Sequence, residues 1–127
     1  MRDVSRAGYE FDRVELSGLP ARLTVRELLE HRVRLDVATH ARAPSRVFRG
    51  LVQPADAIRH SDGHRLPTAR ALDPEPMVAA AHAAVRAGLL AVRAGGEILQ
   101  DLDAVVELTA GPEVVAELRR PVVAPDA

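Results

Sequence analysis

Leu89-Leu90-Ala91-Val92-Arg93-Ala94-Gly95-Gly96-Glu97-Ile98-Leu99-Gln100-Asp101-Leu102-Asp103 holds the sharpest local signals in this chain. Residues 89–93 form a short apolar run of the kind that makes a buried strand. Gly95-Gly96 turns tightly because glycine takes positive φ without a Cβ clash, so residues 97–99 pair back antiparallel. Asp101-Leu102-Asp103 then reads as a tucked turn. Leu102 points inward, and the flanking aspartates stay on the surface to cap backbone amides. Val106 and Leu108 lead to a loop at Ala110-Gly111-Pro112. Residues 113–120 make a last strand, with Val114, Ala116 and Leu118 on one face.

Upstream, residues 1–6 read as a weak first strand with Val4 as its apolar anchor, turning at Ala7-Gly8. Residues 9–16 follow as a second strand. Tyr9 and Phe11 share one face and Val14 and Leu16 the other, so a bulge near Asp12-Arg13 is expected to bring all four inward. Thr24-Val25-Arg26-Glu27 is a capping box, in which the threonine oxygen takes an N-terminal amide and Glu27 reaches back to the cap. A helix over 25–41 follows, with Val25, Leu28, Leu29, Val33 and Val37 along one side. Arg32 and Asp36, one helical turn apart in that stripe, read as an ion pair covered by the fold; the alternative is a pair facing a ligand.

Residues 42–73 are rich in Pro, Arg and Asp. Only residues 47–52 resemble a strand, and Ser61-Asp62-Gly63 is a turn joining short edge strands around His60 and Arg65. Asp73 as N-cap and Pro74 at the first helical position open a second helix over 74–87, closed by Gly88. Met77, Val78, Ala81 and Val85 mark its deeper stripe. Residues 121–127 form a proline-stiffened tail that is expected to fray.

At 127 residues the chain fits a single domain, residues 1–127, with enough length to bury a real core. Its 47% hydrophobic content is mostly Ala, Val and Leu, whereas aromatics are 2%: Tyr9, Phe11 and Phe48. That scarcity argues against base-stacking, and the net charge of −1 argues against a nucleic-acid binder. The absence of cysteine excludes disulfides, thiolate metal sites and cysteine nucleophiles. No apolar run reaches the ~20 residues of a membrane span, and no signal-peptide core is visible, so a soluble cytoplasmic protein is expected. All 17 basic residues are arginine, so no lysine side chain offers a Schiff base or an isopeptide acceptor. Charge is uneven: residues 21–50 carry seven Arg against three acids, and residues 97–127 two Arg against seven acids.

Histidines are the first place to look for chemistry. His60 and His64 flank Asp62, but the intervening turn breaks helical ligand geometry and no third ligand stands out, so no metal is expected. His82, on an alanine-lined helix, reads as a satisfied half-buried imidazole. Asp101 and Asp103 are too strongly turn residues to serve as an acid–base pair. Gly95-Gly96 lacks the strand-to-helix setting of a phosphate loop, and no serine sits in a nucleophile elbow. No catalytic constellation and no cofactor are expected.

The strand–strand–helix opening and the strand–strand–turn–strand close fit an α+β domain of the ubiquitin-like β-grasp kind, with residues 42–88 as a long insertion carrying the second helix. Through Val14-Glu15-Leu16, Thr24-Val25-Arg26-Glu27-Leu28-Leu29, Phe48-Arg49-Gly50-Leu51-Val52-Gln53-Pro54 and Asp101-Leu102-Asp103, the chain resembles a group of small uncharacterised actinobacterial proteins of ubiquitin-like, sulfur-carrier-like appearance. The resemblance covers most of the length and implies no assigned reaction. Carriers of that type work through a flexible Gly-Gly tail; here the matching region reads Arg119-Arg120-Pro121-Val122-Val123, so activation at the C-terminus is not expected, and a carrier or modifier with a remodelled tail lacking Gly-Gly is the first alternative. A protein-interaction module is the leading expectation, with Leu89, Arg93, Leu118 and Arg119 as contacts on the exposed sheet face. A ligand pocket or enzyme site between insertion and first helix, near Arg32, Asp36, His60 and His64, is the further alternative.

Overall fold

The computed structural model describes residues 1–60, 63–109 and 111–125. Ser61 and Asp62 of the expected turn, Ala110 of the expected loop, Asp126 and Ala127 lie outside the described residues, as do the side chains of Arg59 and His60.

The chain opens with Arg2–Ser5 (β1) and Glu10–Arg13 (β2), followed by Arg22–Thr24 (β3) and the helix Val25–Arg42 (α1). Three short strands come next, Val52–Gln53 (β4), Ile58–His60 (β5) and Gly63–Arg65 (β6), and then the helix Pro74–Arg86 (α2). Leu90–Ala94 (β7), Glu97–Leu99 (β8), Val105–Glu107 (β9), Val114–Leu118 (β10) and Val122–Val123 (β11) complete it. The architecture is α+β: two helices and a mixed five-stranded sheet in the order β2-β1-β10-β7-β8. β1 and β10 lie parallel at its centre, and every other neighbouring pair is antiparallel. Three two-stranded ribbons flank it: β3 with β9, β5 with β6, and β4 with β11.

Local chemistry accounts for the element ends. Thr24 and Glu27 form the capping box of α1. The tucked turn completes that cap, because the carbonyls of Ala104 and Leu102 accept the amides of Val25 and Arg26, both at 2.9 Å. Asp101 accepts the Asp103 amide at 2.9 Å, and Leu102 is buried while both aspartates are exposed. Asp73 caps α2 with Pro74 at its start. Gly88, at φ +74, ends it in a Schellman arrangement: Leu89 donates to the Ala84 carbonyl and Gly88 to that of Val85. Gly95 and Gly96 both take positive φ in the β7–β8 turn, the conformation that matches strand twist.

A single apolar cluster fills the interior. Leu28, Leu29 and Val33 of α1 and Ala81 and Val85 of α2 meet Leu90, Val92, Ala116 and Leu118 of the sheet. Val115, on the opposite sheet face, is buried outside that cluster, as is Val4.

Three local expectations are corrected. Tyr9 and Phe11 are 70% and 59% exposed, not inward. A register shift is present, since Glu10 opposes Val4 and Asp12 opposes Asp3, leaving Phe11 as the extra residue; it aims Phe11 outward. Within residues 47–52 extended structure is limited to β4 and a bridge from Val47 to Arg65. Phe48 instead packs inward at 2% exposure against Gly50, where an added Cβ would lie 2.5 Å from the ring. The tail does not fray over 122–124: β11 runs parallel to β4, Ala124 donates to the Gln53 carbonyl at 2.8 Å, and Val122 and Ala124 are buried. Their alternation puts two small apolar side chains on one side, and Pro121, lacking an N–H, precedes the strand without breaking a ladder bond.

Candidate functional site

Arg32 is wholly buried at 0% exposure, and Asp3 and Asp36 accompany it. Its terminal nitrogens donate to both carboxylate oxygens of Asp3 at 2.7 and 2.6 Å, and its Nε donates to both oxygens of Asp36 at 3.0 Å. Asp36 also accepts the Leu51 amide at 2.9 Å. One guanidinium therefore ties α1 to the central strand β1 and to the turn at Gly50. Burial pushes the carboxyls of Asp3 and Asp36 above their ordinary pKa, against the pull of Arg32. Burial also works against the Arg32 charge, yet its bonds to Asp3 and the nearby negative charge of Asp36 hold it above its usual value. The alternative of Arg32 and Asp36 as ligand-facing groups is thereby corrected, because both are buried and each of their side-chain nitrogens and oxygens has a partner inside the protein. Asp3 was not legible as their partner; it lies 29 residues away from Arg32 and in another element.

Of the four expected sheet contacts, Leu118 is corrected, and the four do not share one face. Leu118 is 8% exposed and belongs to the core cluster. Arg93 opposes Val115 in the β7–β10 register and so lies on the other sheet face from Leu118, within 3.3 Å of Glu117. Leu89 is half-buried against the core. Arg119 alone is freely exposed, and it borders a different surface.

That surface is a groove of about 630 Å³ between the β1–β2 hairpin, the turn 48–53 and the chain leaving β10. The bulge delivers Phe11 to its rim, beside Tyr9; the two rings meet edge to face at 5.5 Å and 71°. Arg49, Arg119 and Arg120 border it, all exposed, and none has a side-chain hydrogen bond or ion pair among the described residues. Asp3 and Asp12 contribute the carboxylates of its wall, and His64 reaches it from β6. Polar side chains here serve the backbone: Ser5 accepts the Tyr9 amide at 3.0 Å and Asp12 the Arg13 amide at 2.8 Å. The arrangement suits recognition of an anionic group beside an apolar one, with neither Ser5 nor Asp12 set up for proton transfer.

His82 and His40 serve the fold. His82 Nε2 lies 3.1 Å from the Arg26 carbonyl, half-buried as the sequence suggests. His40 Nε2 lies 2.9 Å from the Arg70 carbonyl and its ring meets Phe48 edge to face. Among the described residues no three His, Asp or Glu side chains gather at metal-binding range, and no helix is long and apolar enough to cross a membrane. The His60 and Asp62 side chains of the histidine reading lie outside the described residues. Comparison with protein families, curated proteins and solved structures returned no match.

Proposed function

We propose that this chain is a ubiquitin-like β-grasp domain that acts as a non-catalytic protein-interaction module, and that its docking surface is the groove beside the β1–β2 hairpin. The observation that carries the reading is the sheet: the first strand and the last long one lie parallel at the centre, β1 flanked by its hairpin partner β2 and β10 by the β7–β8 hairpin, with α1 between the two hairpins in sequence. That order is the one a β-grasp domain requires. Residues 42–88 add α2 to the same core. The fastening of residues 122–124 on β4 supports a module over a carrier, because a carrier tail must thread into its activating enzyme. The buried triad speaks against an enzyme site at Arg32 and Asp36.

Photo-crosslinking from Ser5, at the groove, and from Ile98, on the outer sheet face, in extracts of the source cells tests this. An identified partner captured from Ser5 is expected. Hydrogen exchange of the purified complex should then slow at β2 and at residues 48–53 and 118–122. Capture from Ile98 alone would move the docking surface. A covalent change of mass on incubation with ATP and an adenylating enzyme would restore the carrier reading.

A further inference from the structure

Ion pairs engage Arg2, Arg13, Arg22, Arg26, Arg32, Arg34, Arg70 and Arg93. Among the described residues Arg6, Arg42, Arg49, Arg86, Arg119 and Arg120 are exposed and form no side-chain hydrogen bond or ion pair. Three of these, Arg49, Arg119 and Arg120, gather around one groove. We propose that the groove receives an extended acidic segment of a partner protein, its carboxylates facing these arginines and an apolar side chain resting on Tyr9 and Phe11. This rests on the interaction-module reading above.

Charge complementarity selects the occupant. Asp3 shares Arg32 with Asp36, so that buried triad keeps one negative charge; with Asp12 it sets two negative charges against the three exposed cations, and the positive sign prevails. A carboxylate entering the groove gains from that field without displacing an existing ion pair. Shape selects an extended chain over a compact ligand. Tyr9 and Phe11 stand 70% and 59% exposed on the rim, so a small molecule would remain largely wet, whereas small-ligand pockets bury most of their guest. A chain passing through can use rim and floor together, and β2 is an edge strand with no neighbour on its outer side. A nucleic-acid strand fits less well. The aromatic rings lie at 71° to each other and so offer no pair of parallel faces to successive bases.

The probes are a short fluorescein-labelled peptide of alternating Glu and Leu, its Gln-for-Glu twin, and labelled oligothymidylate, each followed by anisotropy. The Glu peptide should bind about tenfold tighter than the Gln twin, the sum of three ion pairs of the exposed kind. That advantage should shrink as salt rises from about 0.05 to about 0.3 M. Combining Arg49→Gln, Arg119→Gln and Arg120→Gln should erase the difference between the peptides. Tyr9→Ser with Phe11→Ser should weaken both equally. These positions are exposed, and circular dichroism checks that the fold is kept. Equal binding of the two peptides, or an undiminished Glu preference in the triple variant, would overturn the acidic partner while leaving a docking groove. Tighter binding of oligothymidylate would replace the partner class. Binding of neither peptide would also overturn the inference, and the crosslinking result would then judge the module reading by itself.

Discussion

Arg32 of α1 grips Asp3 of β1 through both terminal nitrogens, at 2.7 and 2.6 Å, with neither side chain more than 5% exposed. Two buried carboxylates share this single cation, since Asp36 takes its Nε. Arg32→Met should cost about 3–5 kcal/mol at neutral pH, because it strands two negative charges in the interior. The sign of the pH dependence follows from the raised carboxyls. Asp3 and Asp36 titrate in the folded state above the ordinary 3.8, so the stability linked to them is complete below that value and falls as pH rises through the folded-state values. Without the guanidinium both move higher still. Urea titrations across pH should therefore show the deficit of the variant largest near neutrality and shrinking toward the acid end. A deficit independent of pH would contradict the shared-cation account.

Leu102 and Asp103 are neighbours with opposite expectations. Leu102→Ala should destabilise the domain by about 2–5 kcal/mol, because it opens a cavity at the N-terminus of α1. Asp103 is exposed, and its 3.4 Å pair with Arg26 is of the weak surface kind, so Asp103→Ala should change stability by less than about 1 kcal/mol. Equal losses in chemical denaturation would contradict the tucked turn.

Gly50→Ala places a methyl group 2.5 Å from the Phe48 ring and 3.2 Å from Asp36 Oδ2. Overpacking of this kind should cost about 1–3 kcal/mol. Combining it with Phe48→Leu should recover part of the loss, giving a favourable coupling energy in a double-mutant cycle. Strict additivity would place the strain elsewhere.

Val122→Asp should release the tail. Losing the burial of one valine costs about 2 kcal/mol, and the aspartate prefers water to the core. Exchange of the Ala124 amide, whose acceptor is the Gln53 carbonyl, should speed up while the amides of β10 stay protected. Slow exchange at Ala124 in the variant would show that the β4 pairing holds without Val122.

What the sequence discloses about this fold tracks the span of each interaction. Thr24 with Glu27, Asp73 with Pro74, Gly88, and Gly95-Gly96 act within a few residues, and their structures follow from local chemistry. Leu102 was legible because a lone leucine between aspartates has one apolar place to go. Asp3 as the partner of Arg32 was not, and neither was β11 on β4, since nothing local marks which distant segment will arrive. The groove is hardest to read. Arg119 and Arg120 are visible as charges, but their convergence with Arg49, Tyr9 and Phe11 depends on three separate segments. Even the bulge in β2 turns Phe11 outward rather than inward, because periodicity gives the alternation of side chains and not which of them a bulge turns outward.

The parallel pairing of β1 with β10 imposes an order on events at birth. Arg2 lies opposite Val115 and its side chain reaches Glu113, 111 residues along the chain. On a ribosome, β1 and β2 can meet early as a hairpin, but the inner edge of β1 has no neighbour until almost the whole described chain has emerged. Closing so long a loop is entropically costly, and folds dominated by such distant contacts assemble slowly. The helices and the β7–β8 hairpin rest on local contacts, whereas the central seam cannot close before β10 has emerged. Until then Asp3 waits in water for the buried arginine it will face.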